Sequence, residues 1–181
     1  MIDIGGGMVK SILITGRPGV GKTTAIKGIL SALKIEPGGF YTEEIRVGRE
    51  RKGFMIKTFG GKSGILAHVD GRGGPRVGKY RVDVESFEAS TLRELEDAIS
   101  NGQLVVIDEV GKMELFSQRF RELVLKALDG PVPVLGVITE SGNGFIKNIK
   151  QRPDVRLVRI TMENRDAIIP EIKESLRDLI S

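Results

Sequence analysis

The sequence predicts an α/β fold: a three-layer sandwich on a mostly parallel central sheet, with an antiparallel strand excursion in its middle. Three observations carry this. A short apolar run, Ser11 to Thr15, leads into a glycine-rich loop and then a helical pattern. A second apolar run, Leu104-Val105-Val106-Ile107, passes directly into Asp108 and Glu109, as a buried parallel strand does when it carries its chemistry at the carboxyl end. Between the two lie four strand-like segments joined by glycine-rich turns, with no helix separating them. Parallel strands need long crossovers, so connections this short imply antiparallel pairing.

The loop after the first strand reads Gly16-Arg17-Pro18-Gly19-Val20-Gly21-Lys22-Thr23 and matches G-x-x-x-x-G-K-[ST] at every fixed position, the Walker A loop of P-loop NTPases. Its glycines let the backbone approach a ligand closely. Its N–H groups and the positive end of the following helix suit a phosphate chain. Lys22 supplies a charge for the β- and γ-phosphates, and Thr23 a hydroxyl for Mg²⁺. A helical pattern follows the loop, with Ile26, Ile29, Leu30 and Leu33 at helical spacing.

The middle strands are expected at Gly39 to Val47, Gly53 to Phe59, Ile65 to Val69 and Tyr80 to Phe87. A helix follows, with Thr91 and Glu94 as its capping box, Leu92, Leu95 and Ile99 on one face and Gly102 at its end. In the strand after it, Asp108 is placed to reach Mg²⁺ as the Walker B acid. Glu109 can orient or deprotonate a water. Leu104, Val105, Val106, Ile107, Asp108, Glu109, Val110 and Gly111 are counted with Gly16 to Thr24 as nucleotide-binding; Lys22 and Glu109 are the catalytic candidates, Thr23 and Asp108 the metal ligands. Phe120, Leu123, Val124, Ala127 and Leu128 then form an apolar helix stripe ended by Gly130 and Pro131. Val132 to Thr139 and Arg156 to Thr161 read as further strands. The last helix carries Ile168, Ile169, Ile172, Leu176, Leu179 and Ile180, and Pro170 either opens it or kinks it.

Composition narrows the function. No apolar run approaches the length of a membrane span. Cysteine is absent, which removes disulfides and thiolate metal sites, and the single His68 removes an imidazole cluster. Few Asn and Gln beside many Lys, Arg and Glu is a bias of proteins from hot environments. Residues 1–7 read as a flexible leader, 8–181 as one domain. Without an export signal pattern the chain is expected to be cytoplasmic, and a monomer. Between Arg46 and Arg81 lie ten basic and two acidic residues, a local +8 against +4 for the whole chain. That segment is a solvated basic loop region, a surface for nucleotide phosphates, or a nucleic-acid patch. Only Phe54, Phe59 and Tyr80 are aromatic there, too few for a single-strand stacking platform.

Longer strings carry a resemblance. Gly39-Phe40-Tyr41-Thr42-Glu43-Glu44, Arg51-x-Gly53-Phe54, Gly78-x-Tyr80-x-Val82-Asp83, Asp108-Glu109-Val110-Gly111-Lys112-Met113-Glu114-Leu115 and Asn164-Arg165 resemble the THEP-type nucleoside-triphosphatases, small P-loop proteins of thermophilic archaea and bacteria. The resemblance runs from about Met8 to the C-terminus. It implies Mg²⁺-dependent hydrolysis of the terminal phosphate of ATP, GTP, CTP, UTP and TTP with weak base selectivity.

Triphosphate hydrolysis needs phosphate positioning, charge neutralisation and an oriented water. The motifs supply these, but no residue stands out as the cation that stabilises transition-state charge. Arg17, Arg46, Arg51, Arg152 and Arg165 are the candidates. Glu43 and Glu44 either face the γ-phosphate or end a solvated strand. Lys112 and Glu114 either order the loop after the Walker B acid or touch substrate. Asn164 and Arg165 follow the last sheet strand, where a base can sit, unless Asn164 caps the helix. The rival to hydrolysis is a kinase that passes the γ-phosphoryl to a nucleotide or other small acceptor.

Overall fold

The computed structural model describes residues 8–181, so the expected leader at 1–7 lies outside the described residues. Strand β1 (Ser11–Thr15) is followed by α1 (Lys22–Leu33), then β2 (Gly38–Val47), β3 (Glu50–Thr58), β4 (Ser63–His68), β5 (Arg76–Val77) and β6 (Tyr80–Val82). Helix α2 (Val84–Ser100), β7 (Val105–Val110), a 3₁₀ turn (Glu114–Phe116) and α3 (Gln118–Asp129) come next. Strand β8 (Val134–Ile138), α4 (Gly144–Lys150), β9 (Val155–Arg159) and α5 (Arg165–Ile180) complete the chain. The described residues form a nine-stranded sheet in the order β5-β6-β4-β3-β2-β7-β8-β1-β9. From β2 to β9 all neighbours are parallel. From β2 outward to β5 they are antiparallel, which is the expected excursion.

The central parallel strands β1, β7 and β8 are buried on both faces, so their apolar residues divide between two cores. Leu13, Val105 and Ile107 belong to one, with α2, α3 and α4. Phe40, Phe87 and Phe120 meet edge to face at its centre, with ring centroids 5.1–5.9 Å apart. Ile12, Ile14, Val106 and Val137 belong to the other, beneath Ile26 and Ile29 of α1 and Ile172 and Leu176 of α5. Helices on both faces make the three layers.

Several boundaries differ from the sequence expectation. The strand expected at Tyr80 to Phe87 stops at Val82, because the Asp83 carboxylate accepts from the Ser86 N–H at 2.9 Å and starts α2 there. Thr91 is therefore inside α2 rather than at its start. Its hydroxyl donates back to the Phe87 carbonyl, and Glu94 accepts from the Gly60 amide instead of closing a capping box. Pro170 lies inside α5, which opens at Arg165, so it does not open that helix. The two-residue β5 and the seven-residue α4 were not expected; α4 starts where Asn143 accepts from the Phe145 and Ile146 amides.

Candidate active site

The carboxyl ends of β1 and β7 build the site, and β8 lies between them in the sheet. The loop from Gly16 to Thr23 leaves β1, and α1 begins at Lys22 behind Gly21, whose φ of 97° is the left-handed conformation glycine permits. Gly16 has no room for a side chain, since a Cβ there would collide with the carbonyl of Ile160. The end of β9 is thereby pressed against the loop. Val20 is buried as the loop's anchor, while Arg17, Pro18, Gly19 and Thr24 are exposed. Lys22 folds back over the loop and donates from Nζ to the carbonyls of Gly16 (2.7 Å) and Arg17 (3.0 Å).

The hydroxyl of Thr23 donates to Asp108 Oδ2 at 2.5 Å, joining the two motifs across 85 residues of sequence. Asp108 is only 2% exposed. Burial raises its pKa above the ordinary carboxylate value, against the lowering effects of the Thr23 hydroxyl, a Thr42 backbone hydrogen bond and the Lys22 charge. Burial also raises the pKa of Glu109, Lys22 opposing and Asp108 adding to the rise. Leu104, Val105, Val106, Ile107 and Val110, counted from the sequence among the nucleotide-binding residues, point into the two cores at 0–5% exposure. They aim Asp108 and Glu109 and present no side chain to a ligand, because a parallel strand covered on both faces has no solvent side.

Thr23 and Asp108 offer a hydroxyl and a carboxylate, both hard oxygen donors. Among the described residues no three His, Cys, Asp or Glu side chains are grouped to hold a metal by themselves. A divalent cation held by these two oxygens would complete its shell with oxygens of phosphate and water.

Other expected participants divide. Glu43 pairs with Lys27 (3.1 Å) and Lys57 (2.7 Å), and Glu44 with Arg51 (2.8 Å) and Arg46. These hydrogen-bonded cations lower both carboxyl pKa values, the opposite of what a proton acceptor needs. The same pairs occupy Arg46 and Arg51. Arg152 is held by Asp129 and Asp154 at the amino end of β1, where Lys10 also reaches Asp154, so it sits at the wrong end of the sheet. Arg165 is different: its Nη1 lies 3.9 Å from where a Cβ on Gly21 would be, beside the phosphate loop. The Asn164 side chain accepts from the Thr161 amide (2.8 Å) and donates to the Arg159 carbonyl (3.0 Å). It holds the β9–α5 turn and makes no side-chain cap to α5. Glu114, which the sequence places either in the loop's ordering or at the substrate, is buried, 4% exposed, and near Glu109. Its place between Met113 and Leu115, both packed on a core, was the available signal.

Comparison with known proteins agrees with this geometry. The family model described as NTPase matches residues 11–173. The nucleoside-triphosphatase THEP1 of Thermotoga maritima is 47% identical over 92% of this chain and 95% of its own length. The human cancer-related nucleoside-triphosphatase is 41% identical over 91% and 95%. Among solved structures, THEP1 of the hyperthermophile Aquifex aeolicus superposes with a TM-score of 0.82 at 40% identity, over 90% of this chain and 96% of its own. The loop, its partner acid and these likenesses place the chain in the THEP1-type family of P-loop nucleoside-triphosphatases.

Proposed function

We propose that the protein hydrolyses nucleoside 5′-triphosphates, ATP, GTP, CTP, UTP and TTP alike, to the diphosphate and phosphate in an Mg²⁺-dependent reaction. The observation that carries the reading is the Thr23–Asp108 contact, which brings a complete phosphate loop and a buried acid to one point with Glu109 beside it. The loop amides and Lys22 hold the phosphate chain, Lys22 exchanging the Gly16 and Arg17 carbonyls for phosphate oxygens. Thr23 and Asp108 would hold the metal ion, which would supply positive charge to offset that of the phosphates. Glu109 orients the attacking water and takes its proton; the raised pKa that burial gives it makes it a better base. Arg17, exposed within the loop, and Arg165, beside Gly21, are the arginines placed to approach the bound nucleotide.

Weak base selectivity follows from where these contacts fall. Each is to phosphate or metal, which all nucleoside triphosphates share. Asn164, the residue best suited to reading a base edge, is spent on its own turn. The kinase alternative is not favoured, since the relatives are named triphosphatases. A monomeric, cytoplasmic protein of one domain is part of the same proposal; no helix among the described residues is long and apolar enough to cross a membrane. The test is to follow γ-labelled triphosphate with and without Mg²⁺ and a panel of acceptors. Label appearing as free phosphate, only with the metal and regardless of acceptor, supports hydrolysis. Label carried to an acceptor replaces it with the kinase.

A further inference from the structure

Glu114 is 4% exposed, and the charges acting on it are those of Glu109 and Asp108, both negative. A buried acid facing other acids is costly, and its neighbours Met113 and Leu115 already pack the turn onto the core. The turn holds it firmly. The Leu115 amide donates to the Gly111 carbonyl at 3.1 Å and the Ser117 amide to the Glu114 carbonyl at 3.0 Å. The backbones of Gly111 and of Glu114 itself hydrogen-bond to its carboxyl.

Gly111 is also where Glu114 meets the active site. A Cβ on Gly111 would lie 2.8 Å from Glu109 Oε1 and 3.0 Å from Glu114 Oε2. The two carboxyl oxygens therefore face one point and lie within about 6 Å of each other, the range over which such groups interact strongly. Among the described residues no side-chain hydrogen bond fixes the Glu109 carboxyl, although it has to present one oxygen in a constant direction.

We propose that Glu114 is a positioning residue for triphosphate hydrolysis: anchored on the Gly111 backbone, its buried carboxyl holds the Glu109 carboxyl toward the phosphate loop. The inference rests on Glu109 handling the water. Burial and the negative charge of Glu109 both favour the uncharged acid at Glu114, whose O–H is the donor that Glu109 lacks. A glutamine reproduces that donor and still accepts from the amides; an alanine does neither.

The test uses the full chain with Glu109→Gln, Glu114→Ala, Glu114→Gln and the double variant Glu109→Gln/Glu114→Ala. Single-turnover phosphate release, KM and melting temperature are measured for each, and rates are corrected for the fraction that binds a non-hydrolysable triphosphate analogue. Glu114→Ala should lower the rate by about a hundredfold, the usual result of a displaced reacting group, with KM changed less than about threefold. Glu114→Gln should recover most of that loss. In the Glu109→Gln background, Glu114→Ala should cost little more, because a residue acting through Glu109 has nothing left to position. A wild-type rate in folded Glu114→Ala, no recovery in Glu114→Gln, or a full further loss in the double variant overturns the positioning role while leaving the Glu109 assignment intact. An unchanged rate in Glu109→Gln alone overturns that assignment and the inference with it.

Discussion

Asp108→Asn should make the free protein at least as stable while crippling its hold on metal-bound nucleotide. The carboxylate is 2% exposed, and burial raises its pKa, so the charged form is penalised in the free protein. Asparagine keeps the size and one acceptor oxygen for the Thr23 hydroxyl or the Thr42 amide, and removes the penalised charge. The melting temperature of the free protein should therefore be unchanged or higher, as when a functional site gives up strain held for catalysis. Function should move the other way. A hydrogen bond to a charged group is worth about 1.5–3 kcal/mol, taken here as the scale of the lost carboxylate contact, and tenfold corresponds to about 1.4 kcal/mol. Triphosphate binding in the presence of Mg²⁺ should thus weaken by about tenfold to a hundredfold, and kcat/KM should fall at least as far. Binding without Mg²⁺ should hardly change. Calorimetric titration of a non-hydrolysable analogue, with and without the metal, reads this directly beside a thermal melt. Metal-dependent binding as tight as wild type would refute the assignment of Asp108 to the metal.

Three further outcomes are expected. Glu109→Gln should bind Mg²⁺-triphosphate nearly as the wild type does yet release phosphate about a hundredfold more slowly, in single-turnover assays that separate binding from chemistry. The five common triphosphates should differ in kcat/KM by less than about a thousandfold, because a larger preference requires buried hydrogen bonds that read the base. Acid should unfold the protein partly through Asp154, whose carboxyl the Arg152 guanidinium holds below its ordinary 3.8. A lowered folded-state pKa gives stability that is present above 3.8 and lost as the pH falls through the folded value. Asp154→Asn should therefore melt at a lower temperature than wild type at pH 7, and the two should converge below pH 3.8, as pH-resolved thermal melts would show.

The parts of this molecule that chemistry fixes most tightly were the most legible. Gly16 to Thr23 must place backbone amides around phosphates, which leaves few sequences available, and Leu104 to Ile107 must be apolar on both faces. What was misread turned on local competition. Tyr80 to Phe87 has strand-like composition, yet the single side-chain bond from Asp83 to the Ser86 amide turns the chain into a helix three residues after β6 begins. Thr91 and Glu94 have the spacing of a capping box, but Thr91 is spent on the turn before it and Glu94 on Gly60. The roles of Glu43, Glu44, Arg46 and Arg51 depend on cross-strand pairing between β2 and β3, which periodicity cannot supply. Between ordering its loop and touching substrate, the sequence leaves Glu114 open, because its burial near Glu109 depends on how the turn after β7 folds.

The most direct measurement of the central claim is phosphate release by Lys22→Ala. Lys22 lies at the start of α1, where alanine is a good helix former, and among the described residues its Nζ bonds only to the Gly16 and Arg17 carbonyls, so the variant should fold and melt close to the wild type. Without the charge that meets the β- and γ-phosphates, it should bind triphosphate weakly and release no measurable phosphate above the buffer rate. A folded Lys22→Ala protein that hydrolyses triphosphates at the wild-type rate would contradict the assignment of this loop as the phosphate site.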